Sequence, residues 1–445
     1  MDLRMFVDRL QSMGKLQVIE REVDPYLEMA RVIHTLGERP VLFLCVRGSS
    51  FPVIAGLCST REQIALGLEI EAGKLLPTLA GALRQPVEPQ CVDTAPCQEV
   101  VEPDVDLMQL PVNTHFAEDG GPYVTTGVVV MEDPDLGRNV SYHRLQRLDR
   151  RHFAVRIVEG RGMHTAWSKT GEDLPVAVCI GNSMPVLLAG AMSPAPGVDE
   201  LSIANALGAT PVVKCVTSNL EVPAHCEIVL EGRLTHELVE EGPFVDLTET
   251  RDIVRLQPVL EVDCITHRSD AIYQTLLPGG CEHKLLMGLP REPSIFEAVN
   301  EVCRCLNVSL TAGGGHWLHA VVQISKQDAA DGSRAIAAAF EGHSSLKHVV
   351  VVDESVDLFD PQAVEWAIAT RFQADSDLNV LHNQPSSSLD PSATQVPGKK
   401  ARTAKMGLDA TVKWDSGDKQ APLGSYEKVQ YESVELGDYL PGPQD

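Results

Sequence analysis

The hydrophobic period of this chain changes twice, and that limits the folds open to it. From about residue 108 the pattern turns to β: Tyr123 to Met131, Val140 to Arg147 and His152 to Val158 read as three strands of a meander. Apolar and polar residues alternate there as they must on a ribbon whose side chains point to opposite faces. Turns at Asp133-Pro-Asp-Leu-Gly137 and Asp149-Arg-Arg151 separate the three. Further strands are expected at 174–180, 211–216, 225–231 and 256–266, with helical stretches only near 184–191 and 198–207. A long β segment with so few helices predicts a barrel.

On either side, helices and strands alternate. Leu3, Phe6, Val7 and Leu10 share one helical face that Gly14 ends. Residues 40–46 read as a buried strand, and Thr60 is placed to cap the helix carrying Ile64, Leu66 and Leu68. Ser294 to Cys305 reads as a long amphipathic helix joining domains. After it come a strand over His316 to Ile324, a helix over Ala329 to Phe340, an apolar strand over Lys347 to Val352 and a helix from Pro361 to Arg371. The run after Gln384 is loop-like, and the tail after Gly424 reads as an arm. The expectation is an α/β (α+β) chain of three parts: an N-terminal α/β domain over 1–107, a β domain over 108–293, and a linking helix with a C-terminal α/β domain and tail over 294–445.

The formal net charge of −25 opposes nucleic acid and anionic membranes, both polyanions. The 11 cysteines are an odd number, form no CxxC pair and sit mostly in apolar runs such as Val41-Leu-Phe-Leu-Cys45. They read as small buried hydrophobes in a reducing compartment. With no signal-peptide pattern and no apolar stretch of roughly 18 residues, the expected location is the cytoplasm.

Phosphate loops, nucleophile elbows and paired-histidine zinc helices are missing, and Gly313-Gly-Gly-His316 precedes a strand rather than a helix. Four polar segments stand out instead. In Asn139-Val-Ser-Tyr-His-Arg144, alternation puts Asn139, Ser141 and His143 on one face unless a bulge intervenes. Arg156-Ile-Val-Glu-Gly-Arg161-Gly162-Met-His164 couples two arginines to a Gly-rich end that suits a phosphate. Glu200 follows a Pro/Gly loop, where a carboxylate either offsets a helix dipole or ligates a hard cation. Glu240-Glu241-Gly-Pro-Phe-Val-Asp246 is either an acidic surface turn or a pair of general acid/base groups beside an apolar wall.

These segments, with Val213-Lys-Cys-Val-Thr-Ser-Asn-Leu-Glu-Val-Pro-Ala, Glu227-Ile-Val-Leu-Glu-Gly and Lys405-Met-Gly-Leu-Asp-Ala-Thr, resemble in order the UbiD decarboxylase family. The resemblance implies a central split β-barrel that holds prenylated FMN supplied by a separate flavin prenyltransferase. It implies Mn2+ (or Mg2+) and K+ at the flavin phosphate, and assembly into dimers or hexamers. Asn139 and Glu200 fall on metal-ligand positions. The family's third ligand falls by spacing on Gly162, which leaves His164 or only water and phosphate. Tyr142, His143, Arg144, Arg156, Ile157, Val158, Arg161, Gly162, Glu200 and Lys405 fall on cofactor-binding positions, Lys405 at the phosphate.

The implied catalytic triad is Glu241, Arg144 and Asp246. Arg144 would hold the substrate carboxylate, and Asp246, or else Glu241, would return a proton after CO2 leaves a covalent adduct with the cofactor. His283 and Arg291 either lie at the surface or bind a second carboxylate or a phosphate of the substrate. The Glu-His and Pro-Arg-Glu pattern around them is similar to 2,5-furandicarboxylate decarboxylases, making furan-2,5-dicarboxylate the leading expected substrate. It also recurs in archaeal decarboxylases of phosphorylated isoprenoid precursors. A non-catalytic flavin-binding protein would not need Glu241 and Asp246 together, and nothing resembling a nicotinamide site supports a flavin oxidoreductase.

Overall fold

The computed structural model describes residues 1–395 and 400–414, with 428–429, 432–435 and 439. Most of the tail expected as an arm therefore lies outside the described residues.

The N-terminal unit begins with α1 (Leu3–Ser12), whose four apolar residues are buried and whose first turn is capped by the Asp2 carboxylate. Strands β1 (Gln17–Ile19), β2 (Val41–Phe43) and β3 (Val53–Ala55) form a small mixed sheet, joined at its β3 edge by Tyr273–Gln274 from much later in the chain. Helices α2 (Glu28–Thr35), α3 (Arg61–Gly67) and α4 (Leu75–Arg84) complete the unit, and Thr60 and Gln63 build a reciprocal cap on α3.

The central unit is a nine-stranded antiparallel sheet. Its strands are β4 (Val100–Glu102), β5 (Tyr123–Val124), β6 (Val128–Asp133), β7 (Gly137–Tyr142), β8 (Leu145–Arg147), β9 (His152–Val155), β10 (Leu174–Ile180), β11 (Ile228–Glu241) and β12 (Arg255–His267). The order is β5-β8-β9-β12-β11-β10-β6-β7, with β4 on β12. The path has two free ends and is not a closed barrel. The strand expected over Val140 to Arg147 is broken at His143–Arg144. Its first half pairs with β6 and its second with β5 and β9. The strand expected at 225–231 runs on to Glu241, so Glu241 ends a long strand rather than standing in a turn. Helices α5 (Gly162–Lys169), α6 (Met184–Ala189) and α7 (Glu200–Leu207) pack around this sheet.

The long helix expected over 294–305 is the shorter α9 (Glu292–Asn300), which starts earlier, ends earlier and follows α8 (Cys281–Gly288) and a 3-10 turn (Leu289–Arg291). Two features divide the segment. Pro290 and Pro293 lack the amide hydrogens a continuous helix needs. The Asn300 side chain accepts from the Cys305 amide, which ends the helix and starts a strand. The C-terminal unit is a five-stranded mixed sheet: β13 (Cys305–Leu310), β14 (His319–Ile324), β15 (His348–Asp353), β16 (Leu378–Pro385) and β17 (Arg402–Asp409), in the order β13-β14-β15-β17-β16. Helices α10 (Asp331–Gly342) and α11 (Pro361–Arg371) cover it.

Buried carboxylates join the units. Glu282 accepts from the Gly56 and Cys58 amides, Glu38 accepts from the Cys281 and Glu282 amides, and Arg61 grips Glu292 with both terminal nitrogens. These bonds fix α8 and the turn after it, the elements that carry His283 and Arg291. All eleven cysteines are free thiols, and no helix among the described residues is long and apolar enough to cross a membrane.

Candidate active site

The break between β7 and β8 turns Arg144 toward the end of β11. There its Nε and Nη2 donate to the two oxygens of Glu241, each at 2.9 Å, in the fork geometry that only arginine provides. Its Nη1 donates to Asp246 at 2.7 Å, and Nη2 donates a second time to Asp252 at 2.9 Å. The Phe244 ring lies 4.7 Å from the guanidinium carbon and closes one face. Although burial opposes its charge, the surrounding carboxylates raise the Arg144 pKa, so it stays a cation. Glu241 is fully buried and also accepts from the Tyr123 hydroxyl at 3.0 Å. Gln146 braces this corner by accepting from Gly242 N–H and donating to the Gly120 carbonyl. Gly120 is required at that contact, because a Cβ there would lie 2.2 Å from the Gly242 carbonyl oxygen.

Phe244 lies inside the Glu240–Asp246 motif, whereas Tyr123, Gln146 and Asp252 carry no motif signal of their own.

His283 borders this cluster, close enough to Asp246 and Arg144 to feel both charges. Its Nδ1 accepts from the Gly279 amide at 3.0 Å, which assigns the ring proton to Nε2. Burial lowers its pKa, so the ring is a neutral donor. Beside it lies His115, buried, neither ring nitrogen hydrogen-bonded, its pKa pushed down to about 3 by burial.

A second cluster lies where the central and C-terminal units meet. Arg291 stacks over Trp317, 5.4 Å from its ring centre, and its enclosed Nε has no partner. Burial, with some repulsion from Arg161, pulls its pKa down to about 10. Trp317 meets His343 edge-on at 4.6 Å, and burial with Arg291 nearby holds that imidazole at about 3. Lys405 is buried on β17 with its ammonium on the Ser344 carbonyl at 2.7 Å, and burial lowers its pKa to about 8. Among the described residues no carboxylate pairs with Arg161, Arg291 or Lys405. Three neighbouring cations without a carboxylate partner among the described residues, in a chain of net charge −25, suit a phosphate.

The third group is Asn139 with Glu200. The buried Glu200 carboxylate accepts from Asn139 Nδ2 at 3.1 Å and from Val140 N–H at 2.8 Å, and burial raises its pKa to about 7. Gly162, next to Arg161, packs so closely that a Cβ would lie 3.0 Å from Asn139 Oδ1. One amide oxygen and one carboxylate form a donor set that would fit a hard cation.

His164 stands apart on α5, beside Trp167, with its Nδ1 near the Gly160 amide and the Ser168 hydroxyl. Among the described residues no three His, Cys, Asp or Glu side chains are poised to share an ion. His143 lies between the Arg156 carbonyl and the Ser141 hydroxyl, and burial lowers its pKa to about 4. Tyr142 points toward α6, its hydroxyl donating to the Leu187 carbonyl. Arg156 donates to the Ile157 carbonyl, the Ile157 amide donates to Gln257, and the Val158 carbonyl accepts from the Arg161 amide.

Comparison with known proteins gives this arrangement its context. The chain matches the N-terminal domain of 3-octaprenyl-4-hydroxybenzoate carboxy-lyase over residues 7–83, its Rift-related domain over 90–281 and its C-terminal domain over 284–410. It is 43% identical over 417 residues to the anhydromevalonate phosphate decarboxylase of Methanosarcina mazei, covering 92% of this chain and 96% of that one. The structure of the UbiD-class enzyme HmfF from Pelotomaculum thermopropionicum in complex with FMN superimposes with a TM-score of 0.91 at 37% identity, over 98% of this chain and 100% of that one. An evolved dimeric form of HmfF in complex with prFMN gives 0.88 at 36% identity, over 99% and 100%. The chain is a member of the UbiD family of carboxy-lyases.

Proposed function

We propose that this carboxy-lyase removes CO2 from a phosphorylated α,β-unsaturated acid of the anhydromevalonate phosphate type, using prenylated FMN. The observation that carries the substrate is the group of Arg161, Arg291 and Lys405, unpaired with any carboxylate among the described residues, with Trp317 stacked on Arg291 and His343 beside it. Two phosphates, one on the cofactor and one on the substrate, would use these cations fully, whereas a furan diacid brings no phosphate. The relative from Methanosarcina mazei, by its name, acts on a phosphorylated acid. Both points move the reading from furan-2,5-dicarboxylate to the phosphorylated alternative.

In this reading Asn139 and Glu200 hold a divalent cation, Mn2+ or Mg2+, with K+ nearby, and Lys405 and Arg161 take the cofactor phosphate. Arg156, Ile157, Val158, Gly162, Tyr142 and His143 shape the cofactor's seat, and His164 stays a candidate third ligand. Bound prenylated FMN supplies the electron sink for decarboxylation. The rest is the work of side chains. Arg144 has five N–H donors, four of them engaged within the cluster, and the fifth is free for the substrate carboxylate. Arg291 and the Nε2–H of His283 bind the substrate's far end. Phe244 and the buried Tyr123 keep water from the acid pair. Asp246, held to Arg144 by one hydrogen bond, returns the proton to carbon, with Glu241 as its ionised partner. A flavin prenyltransferase supplies the cofactor, and the working form is a dimer or hexamer.

The test is CO2 release by protein co-expressed with a flavin prenyltransferase. Anhydromevalonate phosphate should be turned over at least tenfold faster than the same acid without its phosphate, and faster than furan-2,5-dicarboxylate. Glu241→Gln combined with Asp246→Asn should abolish release. Preference for the unphosphorylated acid, or activity surviving the double substitution, would overturn the reading.

A further inference from the structure

One guanidinium is shared by three carboxylates, and the reaction as read above uses only two. Asp252 is the third. It lies on a short strand, Arg251–Asp252, paired with Phe244–Val245, so the same small hairpin delivers both Asp246 and Asp252 to Arg144. Asp252 is also the most firmly tethered of the three to groups outside the cluster. Its Oδ2 accepts from Arg144, and its Oδ1 accepts from Arg255 at 2.6 Å and from the Ile253 amide at 2.9 Å. Burial works against its charge, but Arg255 and Arg144 prevail and hold the carboxyl below the usual range. Asp252 is therefore a fixed anion and not a proton donor.

The acid that delivers a proton to carbon has to leave Arg144. Glu241 is gripped twice by Arg144 and once by Tyr123, whereas Asp246 has one bond to Arg144, at Nη1, and accepts from the neighbouring Leu247 amide. When Asp246 departs, Glu241 alone would hold the guanidinium, through Nε and Nη2, against the pull of an incoming carboxylate. Asp252 adds a hold from the Nη2 side. We propose that Asp252, anchored by Arg255, is a positioning residue: it keeps Arg144 aligned while Asp246 moves, and its fixed negative charge keeps the proton on the acid pair. The second half follows from charge. Three carboxylates face three cations, Arg144, Arg255 and Arg156, so the substrate carboxylate brings the unbalanced negative charge that favours taking up a proton.

The inference rests on the proposed roles of Arg144 and Asp246, and one measurement does not depend on turnover. It is a 13C-carboxyl NMR titration of Asp246 in the unloaded protein, assigned with Asp246→Asn. The groups that face the cluster are Arg144, His283, Tyr123, Arg255 and Arg156, with Asp119 behind Tyr123. Asp252→Asn removes an anion, so the Asp246 signal should titrate at lower pH than in the unsubstituted protein. Arg255→Gln removes a cation, so it should titrate at higher pH.

In loaded enzyme the alkaline limb of the kcat profile should move the same two ways. Asp252→Asn should also lower kcat about tenfold at neutral pH without raising KM. A purely structural role would move both variants in one direction, because both loosen the same hairpin. Unchanged titration, or shifts of one sign, overturns the proposal whether or not the variants retain activity. A wild-type enzyme that releases no CO2 while the titrations shift in opposite directions would overturn the functional reading and leave Asp252 in its role.

Discussion

Replacing Arg291 with Met separates the cost of an unpaired cation from its use. Arg291 is enclosed with an unpartnered Nε, and its pKa falls from 12.5 to about 10. At about 1.36 kcal/mol per unit, the fold holds this charge at a penalty of about 3 kcal/mol relative to the unfolded chain. Stacking on Trp317 returns about 1 kcal/mol of that. Methionine fills a similar unbranched volume without charge, so Arg291→Met should stabilise the unloaded protein by about 2 kcal/mol. Unfolding entropy of about 2.1 cal/mol/K per residue over 445 residues converts this to a rise of about 2 °C in melting temperature.

The same substitution should reduce the additional stabilisation conferred by inorganic phosphate, because the anion loses one of its cations. Scanning calorimetry with and without phosphate reads both effects. A lower melting temperature in the absence of phosphate would refute the reasoning, since Arg291 would then be a paired structural residue. An unchanged phosphate response would show that the anion sits elsewhere.

Two further perturbations address the other clusters. Gly162→Ala should help helix α5, where Ala is the better former by about 1 kcal/mol, yet press on Asn139 Oδ1 at 3.0 Å. The expected result is an unchanged or higher melting temperature with about tenfold weaker retention of flavin, read by absorbance after gel filtration. His343 is buried and neutral, with a folded pKa of about 3 against about 6.5 unfolded. Its contribution is therefore present above pH 6.5 and lost as pH falls below it. His343→Gln should shrink the stability difference between pH 7 and pH 5.5 by about 1 kcal/mol in urea titrations.

The proposed trio was legible as a cluster because Arg144, Glu241 and Asp246 each sit in a separate ordered motif, and the structure brings both carboxylates onto the one guanidinium. What alternation could not supply was the break at His143–Arg144. A strand predicted straight through Arg147 would put Arg144 opposite His143, whereas the chain changes pairing partner there and Arg144 swings to β11. Glu241 reads in isolation as a turn residue because Gly242 and Pro243 follow it, yet cross-strand bonds to Arg255 carry β11 to that position. The apolar face of Ile295 and Val299 is real and buried, but periodicity does not record that Asn300 caps the next strand and ends the helix. Asp252 escaped for a similar reason: a carboxylate five residues after a turn has no distinguishing pattern until the hairpin folds it back.

The substrate was the least legible part, for a physical reason. Binding sites for a carboxylate and for a phosphate use the same residue types, so Arg291 or Lys405 in a sequence is compatible with both. The discriminating fact is which cations have no carboxylate of their own, a property of neighbours rather than of any residue. Arg138, Arg233 and Arg371 have acidic partners, and in a chain with 62 acidic residues that is the ordinary outcome. Arg161, Arg291 and Lys405 depart from it together, at one junction between two units. Burial lowers the pKa of both Arg291 and Lys405, and Arg161 adds repulsion at Arg291, so holding these cations together without an anion works against their charge. A fold can retain that arrangement at small net expense if an anion completes it in the working state, and a ligand carrying phosphate supplies more charge per site than a second carboxylate does.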